Sequence, residues 1–326
     1  MSDVRRKFSV AASNPNVVAA ASSLLPRGNA IDALAAGVLA ACADSRAVLL
    51  GPLQILVAGP GIGVRAVDGR PRQPGRGTRR PRGFRPEDSI APASRVASPC
   101  LPAALAAAVA AFGTLTLSRV AGPALELAKA RSKVRAKVLA RVARVGPLAL
   151  SEADIQSELT AAAGLLAGGL LTAEDLATTT TELVACPDGS TAHGNLTRIP
   201  WAAREDLGAE HTRVLAIADS RGALAVACWQ DAEDGLGIEA LDLVAPYAAH
   251  PVLRGEVRTA PGVALAAPSP IALAGAAKTL MAALGVEGTP HAEALLLERL
   301  EPLLRGGPLA DAPMPSGRFI CAIRSV

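Results

Sequence analysis

Aromatic residues are scarce in this 326-residue chain: they make up 2% of it, as four phenylalanines, two tryptophans and one tyrosine. A protein that reads single-stranded nucleic acid by base stacking needs clustered aromatic side chains. The net charge of +4 adds little, because much of the basic excess lies within residues 65–85 and a local basic stretch is weak evidence for a polyanionic partner. We therefore expect no nucleic-acid partner.

Cysteine and histidine are few and scattered. The five cysteines have no CxxC spacing, and none of the four histidines has a second histidine or a cysteine four residues away. This pattern predicts neither a disulfide framework nor a metal site. The sequence also lacks a P-loop, a G-x-S-x-G elbow and a GxGxxG between a strand and a helix. We expect no metal and no cofactor.

Two long uncharged runs do not suit a membrane span. Residues 47–64 contain glycines and prolines that favour strands and turns, and residues 96–118 are mostly alanine and interrupted by Pro99 and Pro102. The basic N-terminus is not followed by the apolar segment of a secretory signal. The expectation is a soluble, cytoplasmic protein without a membrane partner.

The pattern of apolar residues predicts a layered α/β or α+β sandwich. Strands are predicted within 8–18 and at 55–58, 62–67, 212–218, 223–230, 262–267 and 318–323, and a loop at 70–86. Helices are predicted at 17–25, 30–43, 105–112, 123–145, 151–166, 271–284 and 292–304. A turn at 219–222 marks a hairpin between two of the strands.

Four sequence blocks resemble one known family. They are SVAASNPNVVAAASSLLPRGNAIDALAAGVLAA at residues 9–41, AVDGR at 66–70, FGTLTLSRVAGPALELAK at 112–129 and GGLLTAEDLA at 168–177. In this order they are similar to blocks of the gamma-glutamyltransferase family of N-terminal nucleophile hydrolases. The resemblance implies an α+β fold, a four-layer αββα sandwich reduced in size. It also implies a single domain, in which residues 1–211 match the family's large subunit and residues 212–326 its small subunit.

Thr212 occupies the position of the family's nucleophile. It follows His211, and the spacing to Asp219 and Gly222 matches the family's nucleophile strand. The resemblance implies that self-cleavage frees Thr212, whose α-amine then takes the hydroxyl proton while the hydroxyl attacks an acyl carbon. The alternative is an ordinary strand threonine, favoured by β-propensity.

Two further residues are candidates for binding the substrate. Arg70 matches the family's arginine for the substrate α-carboxylate, a role that suits the bidentate guanidinium group. Gln230 stands downstream of Thr212, where the family has a threonine. We expect Thr212 and Arg70 to face one cavity.

The remaining site residues are less well defined by the resemblance. The acidic pair that binds the substrate amino group in the family corresponds to Asp242, with Glu239 and Asp234 as alternatives. Ser269 is a further candidate for substrate binding. It lies in residues 264–270, which correspond to the family's oxyanion segment, and Pro270 in this segment has no N–H to donate.

The resemblance implies a divergent amidohydrolase or acyltransferase acting on a specialised, amino-acid-derived small molecule with a carboxylate, in a biosynthetic role. Two alternatives stay open. In the first, the chain is an inactive homologue that serves as a binding or partner subunit. In the second, the same scaffold carries out other chemistry, because Arg213 and Gln230 change the pocket. Assembly with itself or with another chain is also left open.

Overall fold

The computed structural model describes residues 8–79, 81–187, 190–191, 194–201, 209–276, 279–304 and 317–324. Its helices are α1 (Pro15–Leu24), α2 (Ala30–Asp44), α3 (Leu101–Phe112), α4 (Leu117–Val120), α5 (Gly122–Arg131), α6 (Lys133–Val145), α7 (Ala153–Ala163), α8 (Ala173–Thr178) and α9 (Ala292–Leu304). Its strands are β1 (Ser9–Ala12), β2 (Leu53–Gly59), β3 (Gly63–Gly69), β4 (Leu183–Ala185), β5 (Ser190–Thr191), β6 (Gly194–Arg198), β7 (Thr212–Ala218), β8 (Leu224–Gln230), β9 (Gly235–Ile238), β10 (Leu243–Pro246), β11 (Ile271–Ala276), β12 (Thr279–Glu287) and β13 (Arg318–Ile323).

The elements stack in four layers. Helices α1 to α7 share an apolar core with one face of a sheet of order β1-β7-β8-β2-β3-β4. The opposite face of this first sheet packs on a second sheet of order β13-β12-β11-β6-β5. The outer face of the second sheet is covered by α9. The order helices, sheet, sheet, helix is the αββα sandwich that the sequence predicts.

Alternation along the strands assigns each side chain of the first sheet to one face. Leu215 and Ile217 of β7 face the helices, whereas Val214 and Ala216 lie in the core between the two sheets. The neighbouring strands follow the same rule, so polar residues in register with Val214 also point between the sheets. This inner face carries the candidate site.

Helix α2 is buried along nearly its whole length, from Ala30 to Ala43. Its N-terminus is held by a capping box in which Asn29 and Asp32 exchange side-chain and backbone hydrogen bonds. The side chain of Asp32 also accepts the backbone N–H of Thr114, at 3.0 Å. Small alanine side chains let the neighbouring helices and the first sheet approach α2 closely.

The turn between β7 and β8 is tied to the start of α2. The Asp219 carboxylate accepts the backbone N–H groups of Arg221, Ala223 and Ala30, the last at 3.0 Å. Gly222 has φ +90°, a conformation that favours glycine. The Asp219 and Gly222 pair therefore has a structural role that fixes the hairpin to the helical layer.

Three predicted elements differ from the structure. Residues 271–284 are not a helix but belong to the antiparallel strands β11 and β12, which pack between the first sheet and α9. Residues 262–267 form no strand and pair only locally with residues 71–73, where Ala264 and Arg72 make an isolated bridge. The single helix predicted at 123–145 is divided at Ser132, whose extended backbone and side-chain hydroxyl cap α6.

The other long predicted elements are confirmed within a few residues, including the strands at 212–218 and 318–323 and the helix at 292–304. In the part of the chain that the structure describes, the apolar helices are all too short to reach across a bilayer.

Candidate active site

Thr212 begins β7 on the inner face of the first sheet. It is 1% exposed, and its Oγ1 atom is buried without a hydrogen-bond partner among the described residues. Most buried hydroxyl groups in proteins are hydrogen-bonded, so the Thr212 hydroxyl is an exception, and catalytic groups are one known class of such exceptions.

The peptide groups before and after Thr212 each accept a backbone hydrogen bond. The carbonyl oxygen of His211 accepts the backbone N–H of Asp231 at 2.9 Å, and the carbonyl oxygen of Thr212 accepts the N–H of Gly288 at 3.2 Å. A donor on the His211 carbonyl polarises the carbon that a nucleophile would attack. The 211–212 peptide bond thus lies in a fixed environment beside the Thr212 hydroxyl.

The loop after β12 forms the second side of this environment. Glu287 is 4% exposed and accepts the backbone N–H of Val214 at 3.0 Å, and Thr289 is fully buried. The backbone N–H of Gly288, with φ +75°, donates to the carbonyl oxygen of Thr212. The assignment of residues 264–270 as the oxyanion segment stays a prediction.

Thr212, Gln230 and Arg70 lie in one row across the first sheet. Thr212 is opposite Gln230, and continuing the pairing of β2 with β8 and β3 by one residue puts Pro52 between Gln230 and Arg70. Three strand spacings separate the ends of this row, or about 14 Å between the Thr212 and Arg70 backbones. Because Asp68 pairs with Gln54 on the inner face, Arg70, two residues later, points to the same face as Thr212.

Arg70 is engaged by two neighbours. Its guanidinium makes two hydrogen bonds of 2.9 Å to Asp68 and lies over the ring of Trp201, 4.8 Å from the ring centroid. Arg72 donates to the same carboxylate at 3.0 Å. Burial alone would raise the pKa of Asp68, but the hydrogen bonds from Arg70 and the charge of Arg72 outweigh it and lower the pKa. One carboxylate thus serves two guanidinium groups, which leaves positive charge available here.

Ser269 belongs to a buried polar cluster centred on Gln54. The Gln54 Oε1 atom accepts the hydroxyl of Ser269 at 2.7 Å and the indole N–H of Trp201, while its Nε2 atom donates to the carbonyl oxygens of Ala267 and Pro268. The cluster fixes the segment before β11 and holds Trp201 under Arg70. Sequence reasoning missed Gln54 and Trp201; a lone glutamine within the apolar strand LQILVA was the only local signal.

A cavity of about 220 Å³ opens beside this row. Among the described residues its walls include Gln230, His211 and Asp234, together with Tyr247 and residues 266–268, but neither Thr212 nor Arg70. Two lining residues are immediate neighbours of the buried Thr212, His211 along the chain and Gln230 across the sheet. We name this the inner cavity.

Asp242 does not lie at the inner cavity. It follows β9 with φ 52° and pairs with Arg46 at 3.0 Å and with Arg135 at 3.6 Å, on the helix side of the first sheet. Its alternative Glu239 also pairs with Arg46, at 2.6 Å. Of the three acidic candidates, Asp234 is the one that lines the inner cavity.

No group of three or more histidine, cysteine or acidic side chains within the described ranges is arranged to hold a metal ion. The polar side chains that line the inner cavity include those of Gln230, His211, Asp234 and Tyr247, while Thr212 and Arg70 lie beside it in the same row.

Comparison with known proteins supports the fold. Neither a protein family nor a curated protein sequence matches the chain. A cephalosporin acylase from Bacillus halodurans superposes with a TM-score of 0.75 at 16% identity, over 96% of this chain and 84% of the acylase chain. A structure named LmbA2991HD gives 0.65 at 12% identity, over 97% and 84%. The gamma-glutamyltranspeptidase from Pseudomonas nitroreducens gives 0.49 at 17% identity, over 61% and 72%.

At these identities the likeness concerns the fold alone. The chain shares its four-layer αββα fold with the cephalosporin acylase and LmbA2991HD structures.

Proposed function

We propose that this chain is an amidohydrolase or acyltransferase whose nucleophile is Thr212. The observation that carries the proposal is the Thr212 hydroxyl, which is buried, unpartnered among the described residues and adjacent to a peptide carbonyl that already accepts a hydrogen bond. A purely structural threonine at this depth would be expected to donate its proton to a neighbour.

The first step is self-cleavage. The Thr212 oxygen bonds to the carbonyl carbon of His211, the peptide C–N bond breaks, and the hydroxyl proton passes to the nitrogen, which leaves an ester. Water then hydrolyses the ester, so that His211 ends in a carboxylate and Thr212 regains its hydroxyl beside a free α-amine. The N–H of Asp231 stabilises the negative charge that develops on the His211 carbonyl oxygen.

Turnover uses the new α-amine as the base. The amine takes the hydroxyl proton as the Thr212 oxygen attacks the substrate acyl carbon, and it returns the proton to the departing amine. Water or an acceptor amine then releases the acyl group from Thr212. Hydrolysis and transfer differ only in this second nucleophile.

The substrate class follows from the inner cavity. A volume of about 220 Å³ suits a molecule of amino-acid size. Asp234 on the cavity wall offers a carboxylate to an ammonium group, and Arg70, which lies beside the cavity at the end of the row, offers a guanidinium to a carboxylate. An amino-acid-derived amide would satisfy both charges, with Gln230 beside the reacting carbon.

A second candidate function is an inactive binding subunit. The observation that favours it is the state of Arg70, which already makes two hydrogen bonds to Asp68 and stacks on Trp201. A substrate carboxylate must compete with Asp68 for this guanidinium. The two functions differ in whether the 211–212 peptide bond is cut.

Mass spectrometry of the denatured protein separates them. Starting from 32.9 kDa, we expect fragments of about 21 and 12 kDa, with Thr212 as a new N-terminus. The Thr212→Ala variant should stay whole. Thr197→Ala, which alters another buried strand threonine, is the matched control and should be cut like the wild type. A wild-type chain that stays intact on prolonged incubation contradicts the proposal and leaves the binding subunit.

A further inference from the structure

A second cavity, larger than the first, lies on the helix side of the first sheet. Its volume is about 590 Å³. It lies between helices α2 and α6 on one side and the start of β7 and the end of β8 on the other. Because successive strand residues point to opposite faces, Thr212 faces the inner cavity side while Arg213 lines this one. The helix-side cavity is therefore separate from the candidate active site.

The indole N–H of Trp229 and the Nε–H of Arg135 are buried at this cavity without a hydrogen-bond partner in the described part of the chain. Trp229 is 3% exposed and Arg135 is 5% exposed, and both line the cavity. Among the described residues, neither the Trp229 Nε1 atom nor the Arg135 Nε atom makes a hydrogen bond. A buried donor left unsatisfied costs about 1–3 kcal/mol. A ligand acceptor that forms a hydrogen bond with either group would remove that group's cost.

The arginine side of the cavity carries more positive than negative charge. Asp242 faces two guanidinium groups, that of Arg46 at 3.0 Å and that of Arg135 at 3.6 Å, and Glu239 also pairs with Arg46, at 2.6 Å. Arg213 donates to the backbone carbonyl oxygens of residues 210 and 212 and, within the described chain, to no carboxylate. The group best suited to these donors is a carboxylate.

The cavity also offers negative charge. Asp231 accepts the hydroxyl of Ser45, and Glu233 lies beside it on the same wall. Within the described residues, no arginine, lysine or histidine lies within ion-pair distance of either carboxylate. Counted over the lining, four arginines face four acidic residues. A neutral lining with both signs disfavours a simple polyanion and favours a ligand that carries both charges.

We propose that the helix-side cavity binds a short zwitterionic peptide of two or three residues. Its carboxylate accepts the N–H groups of Trp229 and Arg135, and its ammonium group pairs with Asp231 and Glu233. The volume lies in the usual range of small-molecule sites, about 300–1,000 Å³. A single amino acid would leave much of the space empty. This site does not depend on Thr212 chemistry.

The two tryptophans make the test direct, because Trp229 lines the helix-side cavity and Trp201 lies under Arg70. In a Trp201→Phe, Thr212→Ala variant, Trp229 is the single tryptophan and peptide cleavage through Thr212 is removed. Titration with trialanine should change its fluorescence and saturate. Calorimetry on the Thr212→Ala protein gives the same isotherm and serves where the double variant does not fold.

Matched ligands and variants assign the charges. N-acetyl-trialanine and trialanine amide should each bind about tenfold more weakly, which corresponds to about 1.4 kcal/mol per lost charge contact. Glu233→Gln should weaken trialanine but not the acetylated peptide. Arg70→Met, a change at the other site, should have no effect.

Three results with ligands would overturn the proposal. They are no saturable binding up to about 10 mM trialanine, above the millimolar range of weak binding; equal affinity for the acetylated or amidated peptide; and displacement of trialanine by inorganic phosphate at lower concentration, which would show an anion site. Weakening by Arg70→Met would assign the binding to the inner cavity and would equally contradict the proposal.

Discussion

Replacing Gln54 by leucine tests whether the buried polar cluster fastens the two sheets together. Gln54 is 1% exposed and lies on β2 of the first sheet, whereas its partners Ser269 and Pro268 lie just before β11 of the second. Leucine has a similar size to glutamine but no group that forms hydrogen bonds. The substitution therefore removes hydrogen bonds with little change in packing.

The expected cost follows from which partners lose their last hydrogen bond. Ser269 keeps a bond to the carbonyl of Ala267 at 3.2 Å, and the carbonyl of Pro268 keeps the thiol of Cys228 at 3.7 Å. Among the described contacts, the indole N–H of Trp201 keeps none. A fully buried orphaned donor costs about 1–3 kcal/mol; because Trp201 is only half-buried, about 1 kcal/mol is expected there and about 1 kcal/mol more for the lost bond to Ser269. The free energy of unfolding should therefore fall by about 2 kcal/mol.

Urea unfolding measures this loss, with every protein carrying Thr212→Ala so that all variants are single chains. Ser269→Ala alone should cost about 1 kcal/mol, since Gln54 retains Trp201. The double substitution should cost less than the sum of the two by at least about 0.5 kcal/mol, because the two residues share one bond. Additive losses, or a Gln54→Leu cost under about 0.5 kcal/mol, would refute the cluster as described.

Two further predictions concern the same sheet. Gly69→Ala should destabilise the fold by about 1–3 kcal/mol, because its new Cβ would lie 2.4 Å from a backbone oxygen of β2; Gly122→Ala, which meets nothing within 4 Å, should be neutral or slightly stabilising in the same urea assay. Asp68 has a lowered pKa through Arg70 and Arg72, against the effect of burial, so its stabilisation is complete above its unfolded pKa of about 4 and is lost as pH falls through the lower folded value. The urea midpoint of the wild type should drop more steeply below pH ~4 than that of Asp68→Asn, and parallel profiles would contradict this assignment.

Much of the fold could be predicted from local patterns. β-Branched and apolar runs between turn residues predicted β7 and β13, and an apolar helical period predicted α9. The helix predicted at 271–284 was wrong. Alanine and leucine dominate this segment, and both residues favour a helix. Burial between the first sheet and α9 overrides that preference, since small side chains fit a strand packed on both faces.

The candidate site was predicted unevenly, for a physical reason. The spacing from Thr212 to Asp219 and Gly222 identified the strand, yet the last two residues form its turn and say nothing about chemistry. The contact of Gln54 with Trp201 joins positions 147 residues apart, which no local pattern records. The assignment of Thr212 as nucleophile remains a prediction that cleavage will test.

The two sheets are built from strands on both sides of residue 211. In the first, β7 and β8 lie between β1 and β2, and in the second β11 pairs with β6. A cut after His211 would therefore leave two chains joined by backbone hydrogen bonds at three strand pairs, β1–β7, β2–β8 and β6–β11. Both chains would contribute side chains to the helix-side core and to the core between the sheets. Neither piece would have a complete sheet of its own. If the chain is cut, we therefore expect the whole polypeptide to fold first and the cut to follow.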